Sequence, residues 1–181
     1  MKLEEIAEQI RNCKKCELWR IRKRAVPGEG PSNARIVFLG QNPGRMENIE
    51  GKPFIGLAGK FLNKLLKLIK LRREEIFITG VVKCRTPKNR KPTKNEIEVC
   101  KLYTLKQLEA IKPKIVVLLG EVACEALGFK EKISKIHGKF LKKDGRIYFF
   151  TFHPAAGMRF PKIRKLMEED FLKLKKLIKC C

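Results

Sequence analysis

The chain has 181 residues, 44% of them hydrophobic, and carries 42 Lys and Arg against 19 Asp and Glu, a formal net charge of +23. This length suits about one domain with a full core, and no apolar run reaches the roughly 18 residues that a membrane span needs. A surplus of one sign repels itself unless a polyanion relieves it, which points to nucleic acid. An anionic membrane is disfavoured because no basic amphipathic tail stands apart. The Lys- and Glu-rich surface of a thermophile would add both signs and leave the net charge small.

Leu3, Ile6, Ala7 and Ile10 recur at helical spacing and predict a short amphipathic helix over 1–11. This start lacks the apolar stretch of a secretory signal, so a cytoplasmic protein is expected. A Cys13-Lys-Lys-Cys16 motif and a basic stretch over 19–24 follow, and then turn chemistry over 25–33 (AVPGEGPSN). Residues 35–39 read as a buried strand. The stretch 39–59, LGQNPGRMENIEGKPFIGLAG, holds five glycines and two prolines and is expected to be one long shaped loop. Loops of that length inside a domain are usually functional. Its polar groups Gln41, Asn42, Glu47 and Asn48 lie just beyond the strand end, where α/β proteins place ligands.

A lysine-studded apolar face predicts a helix over about 60–71, and 76–82 (IFITGVV) reads as a second strand. The basic loop 83–91 (KCRTPKNRK) precedes a capping box, Thr93 with Glu96, that opens a helix to about 111. A third strand over 115–119, a short helix over 121–127, a fourth strand over 147–152 and a final helix over 161–179 complete the chain. Four apolar strands alternating with helices imply a single α/β domain over 1–181 with a mostly parallel sheet covered on both faces. The strand ends at 40–42, Gly80, Gly120 and His153 then converge on one crevice.

Seven cysteines without a secretory signal favour metal binding over a disulfide framework. Cys13, Cys16, Cys84 and Cys100 are spaced as C-x2-C and C-x15-C, a set of thiolates suited to zinc or to an iron–sulfur cluster. Cys124 reads as a buried small hydrophobe, and Cys180 and Cys181 as exposed thiols without a role.

Four blocks then occur in order: CKKC, GQNPGRMENIEGKPFIGLAG, VVKCRTPKNRKPTKNEIEVC and FHPAAGMRFP. In these the chain resembles the uracil-DNA glycosylase superfamily, most closely its family-4, iron–sulfur-containing branch. The resemblance runs from Cys13 to about Phe171. It implies a three-layer α/β/α sandwich around a four-stranded parallel sheet, and a pocket for a base flipped out of DNA. It also implies a structural [4Fe–4S] cluster on Cys13, Cys16, Cys84 and Cys100, zinc being the alternative from spacing alone. Phe54 resembles the stacking floor of the pocket, whose wall is the backbone of Gly40, Gln41 and Asn42. His153 resembles the residue that bonds the base O2 as charge develops on the leaving group. His137 reads as structural. Lys83, Arg85 and Arg90, with Lys91, are expected to face phosphates. Met158 is expected to act as an intercalating wedge and Arg159 to contact the backbone.

Two positions depart from the family pattern. Where family-4 members generally read G-E-A-P-G, this chain has Gln41 and Asn42, amides that cannot take a proton near neutral pH. The expectation is that Asn42 orients the water and Gln41 lines the pocket. Gly80 stands where an Asn usually reads the uracil edge, and glycine is expected to enlarge the pocket. The resulting expectation is a monofunctional DNA glycosylase, monomeric, that acts on uracil or another deaminated base in double- or single-stranded DNA. The alternatives are a glycosylase for hypoxanthine or xanthine, a noncatalytic lesion-binding protein, and action on RNA or free nucleosides.

Overall fold

The computed structural model describes residues 1–180; Cys181 lies outside the described residues. The five strands are β1 (Ile36–Gly40), β2 (Phe77–Gly80), β3 (Ile115–Leu119), β4 (Phe140–Lys143) and β5 (Arg146–Thr151). The helices are α1 (Leu3–Arg11), α2 (Arg45–Glu50), α3 (Leu57–Leu68), α4 (Lys94–Ile111), α5 (Glu121–Ala126), α6 (Ile133–Ile136), α7 (Pro154–Arg159) and α8 (Pro161–Lys179). All strands lie in one sheet of order β2-β1-β3-β5-β4, parallel except for β4. None of the described helices is long and apolar enough to cross a membrane.

Every residue of β1 and β3 is buried, which is why both read as unbroken Ile/Val/Leu/Phe runs rather than alternating ones. From β1 the chain moves one way across the sheet to β2, and from β2 it moves back past β1 to β3. Right-handed crossovers in opposite directions put their helices on opposite faces. The packing agrees: α3, α7 and α8 touch one another, while α4 touches α1 and α5. The sandwich therefore has a switch point between β1 and β3, the usual place for a crevice at the carboxyl ends of the strands.

The structure differs from the sequence reading in three places. The sheet has five strands rather than four. β4 pairs antiparallel with β5 across an Asp144-Gly145 turn, and both turn residues have positive φ (51° and 73°). Asp-Gly is the residue pair that a tight hairpin turn calls for. The stretch 39–59 is not all loop, because α2 forms inside it and stops at Gly51, whose φ of 74° ends the helix. Between the fourth predicted strand and the final helix, residues 154–159 form a further helix, α7, with Pro154 in its first turn.

Candidate active site

The loop after β1 places Phe54 against the strand end: a Cβ built on Gly40 would lie 2.5 Å from the Phe54 ring, so only glycine lets the ring sit there. Phe54 has φ 49°, a strained value for a bulky residue. Clamps on both sides hold it in place. Arg73 Nη1 and Nη2 donate to the carbonyls of Phe54 and Pro53 at 3.2 and 2.5 Å. Glu47 Oε1 accepts the N–H groups of Ile55 and Gly56 at 2.9 and 2.8 Å. The backbone of Gly59 packs so closely on the Phe54 carbonyl that a Cβ there would sit 1.8 Å from the oxygen. Asn48 ties the same loop to the basic segment by accepting the Lys23 N–H at 2.9 Å.

His153 follows β5 and caps α7, its Nδ1 accepting the Ala155 N–H at 3.2 Å. In the neutral ring that bond leaves the hydrogen on Nε2. The imidazole lies 5.8 Å from the Phe54 ring, centroid to centroid. Burial pushes its pKa down to about 4, with the nearby Glu47 carboxylate partly opposing. His153 is therefore a neutral donor at physiological pH. His137 is held by the fully buried Asp170, at 3.0 and 3.2 Å, and by the Phe152 ring. Thr151 also donates to that carboxylate, at 2.8 Å.

Gln41 and Asn42 are half-buried and joined, Gln41 Nε2 donating to Asn42 Oδ1 at 2.8 Å. Asn42 Nδ2 donates to Pro43 O at 3.1 Å and to Thr86 Oγ1 at 3.4 Å. Gly80 ends β2. A Cβ there would lie 3.1 Å from Val82 O and 3.2 Å from Gln41 O, so the glycine lets these backbones approach closely.

Lys83 departs from its expectation. It is 1% exposed, and its Nζ donates to Thr79 Oγ1, Gly80 O and Gln107 Oε1 at 2.7, 2.6 and 2.7 Å. It faces the core, not phosphates. Burial pushes its pKa down to about 7, and the Cys100 and Cys84 thiols oppose this. Arg85 is half-buried with its Nε on Asn89 Oδ1. Arg90 is exposed but forks onto Glu96 at 2.9 and 2.8 Å. Lys91 pairs with Glu125. Met158 is half-buried, Arg159 exposed, and Phe160 beside them is 50% exposed.

The cysteines Cys13, Cys16, Cys84 and Cys100 line one pocket with Ile10, Trp19, Val82 and Tyr103. Two N–H groups already point at sulfur: Arg22 Nη1 at Cys84 and the Lys83 amide at Cys100, both at 3.2 Å. Burial pushes the Cys100 thiol up to about 12 and raises Cys84, so ligand thiolates here need positive charge beside them. Among the described residues no three Cys, His, Asp or Glu side chains converge tightly enough to hold one metal ion. Cys124 is buried, with its thiol pushed up to about 12. Cys180 is exposed.

Residues 27–175 match the Uracil DNA glycosylase superfamily. The chain belongs to that superfamily. Its relatives include a type-4 uracil-DNA glycosylase of Saccharolobus solfataricus, 47% identical over 97% of this chain and 86% of that protein. Those of Archaeoglobus fulgidus and Thermotoga maritima are 41% and 38% identical, covering 97% and 98% of this chain and 92% and 95% of the relatives. As a superfamily member the chain combines a familiar sheet with an amide pair after β1.

Three residues that hold this crevice were not foreseen, Glu47 as a clamp, Arg73 and Thr86, and neither was Arg22 at the cysteine pocket. Glu47 alone had a legible signal, as an acid three residues after the glycine that begins α2.

Proposed function

We propose that the protein is a monofunctional uracil-DNA glycosylase of the type-4 kind that acts in base-excision repair. The observation that carries this reading is the pairing of Phe54 and His153 across the switch point, a stacking ring facing a neutral donor 5.8 Å away. A uracil flipped out of DNA stacks on Phe54. His153 Nε2–H donates to the base O2, where negative charge grows as the C–N bond breaks. Asn42 holds the water, with Gln41 beside it. The water oxygen bonds to the sugar carbon, the base leaves with the electron pair of the C–N bond, and the water's proton passes to the departing base or to solvent. Neither amide takes that proton, so the pocket relies on leaving-group stabilisation and a held water.

The four thiols, with N–H donors aimed at two of them, suit a [4Fe–4S] cluster. When bound, the cluster supplies a covalent tie between the α1 end, the loop after β2 and α4. A broad visible absorbance in anaerobically purified protein supports it, and stoichiometric zinc in fresh protein would count against it.

The net charge of +23 supports DNA as the partner. Arg85, Arg90, Met158 and Arg159 are the proposed contacts, Met158 filling the gap left by the base. One domain acting as a cytoplasmic monomer suffices for this chemistry. The test incubates the protein with duplex and single-stranded oligonucleotides carrying uracil, hypoxanthine, xanthine or a G·T mismatch and scores alkali-labile sites. Product from uracil is expected. No product from any of them, with tight lesion-dependent binding, would overturn the reading in favour of a noncatalytic binder.

A further inference from the structure

We propose that Thr86 is a positioning residue that locks the Asn42 amide with its oxygen facing Gln41 and the crevice. Thr86 Oγ1 has a single hydrogen and donates it to the Arg90 carbonyl at 2.6 Å. Toward Asn42 it acts only as an acceptor, so the group 3.4 Å away is fixed as Nδ2. The second partner of Nδ2 is the Pro43 carbonyl at 3.1 Å, which cannot donate at all. A flipped amide would turn Oδ1 onto two acceptors. Its orientation is therefore set by chemistry and not by choice between two similar ends.

With both N–H groups engaged, Asn42 Oδ1 takes the Gln41 Nε2–H at 2.8 Å and keeps its second lone pair for a water. The lock has a rigid foundation. Thr86 is 1% exposed, the Arg90 N–H bonds back to Pro87 O at 3.0 Å, and the Arg90 guanidinium is forked on Glu96. The Thr93 amide in turn donates to the same carboxylate at 2.8 Å. Thr86 touches neither base nor water; it acts through Asn42.

This inference rests on the reading that Asn42 holds the water, and the test separates the two. Single-turnover excision from uracil-containing duplex and DNA affinity are measured for the holoprotein and for Thr86→Val, Thr86→Ser, Asn42→Ala and the Thr86→Val/Asn42→Ala pair. Thr86→Val is expected to slow excision about two- to tenfold, the range one neutral hydrogen bond supplies, with DNA affinity unchanged. Thr86→Ser, which keeps the hydroxyl, restores the rate. Asn42→Ala falls further, and adding Thr86→Val to it slows it no more, since the lock then has nothing to hold. An impaired Asn42→Ala beside a Thr86→Val of unchanged rate would overturn the lock alone, as would equal slowing by Thr86→Val in both backgrounds. Asn42→Ala cleaving at the unsubstituted rate would overturn the water-holding reading and the lock with it.

Discussion

Replacing Lys83 with methionine removes an ammonium from the core while keeping most of the side chain's volume. The three acceptors on Nζ do not suffer equally. The Thr79 hydroxyl still donates to Pro27 O at 2.8 Å, and the Gln107 amide nitrogen still donates to the same carbonyl at 2.7 Å. Gly80 O and Gln107 Oε1 lose their partner, at about 1–3 kcal/mol for each unsatisfied group. Relief from burying a charge offsets part of that loss. The net expectation is a destabilisation of about 2–4 kcal/mol. In a domain of this size that lowers the Tm by on the order of 5–15 °C. Circular dichroism melts read this directly. The salt dependence of DNA binding gives the second half of the prediction. Lys83→Met leaves the slope of log affinity against log salt unchanged, whereas Arg85→Ala reduces it by about 0.9. A Tm within a degree of the unsubstituted protein, or a slope that falls with Lys83, would refute the internal clamp.

Three further outcomes are expected. Gly59→Ala pushes a methyl group into the Phe54 carbonyl, 1.8 Å from where its Cβ would stand, and should cut excision at least tenfold by moving the stacking floor, read by single-turnover assay beside a melt. His153 binds a proton near pH 4 when folded, against about 6.5 in an unfolded chain. The unfolded state therefore takes up more protons between those values. The stability tied to the neutral ring is whole above about pH 6.5 and is lost as pH falls toward 4, by about 1–2 kcal/mol once the ring's open edge is allowed for. Urea midpoints at pH 7 and pH 5 should converge in His153→Asn. With the proposed cluster bound, Cys100→Ser should abolish its visible absorbance and lower the Tm, whereas Cys124→Ser should keep the absorbance.

The parallel strands were legible because burial on both faces leaves only apolar residues, and β1 and β3 read as such without ambiguity. β4 was not legible, since all four of its residues are exposed and carry no apolar alternation; Asp144-Gly145 was the available signal. Phe54 and His153 could be located from the motifs that hold them. Lys83 could not be, because a lysine in a basic loop reads as solvated until the three oxygens around its Nζ are seen. Thr86 was hidden for a related reason: its role depends on which of its partners is a carbonyl, and sequence does not record direction. The cysteine set was plain from spacing, while the N–H groups aimed at two of its sulfurs come from Arg22 and a backbone amide that no spacing rule names.

The left-handed peptide at Phe54 has a consequence for timing. Arg73 grips it from one side and Glu47 from the other, and Gly59 leaves it no room to relax. The ring is thus set in place when the chain folds, so a base stacking there, as proposed, would meet a finished surface and lose little affinity to ordering it. It also follows that the floor has no separate melting step: salt, heat or denaturant should erase stacking only when α2 and α3 let go together.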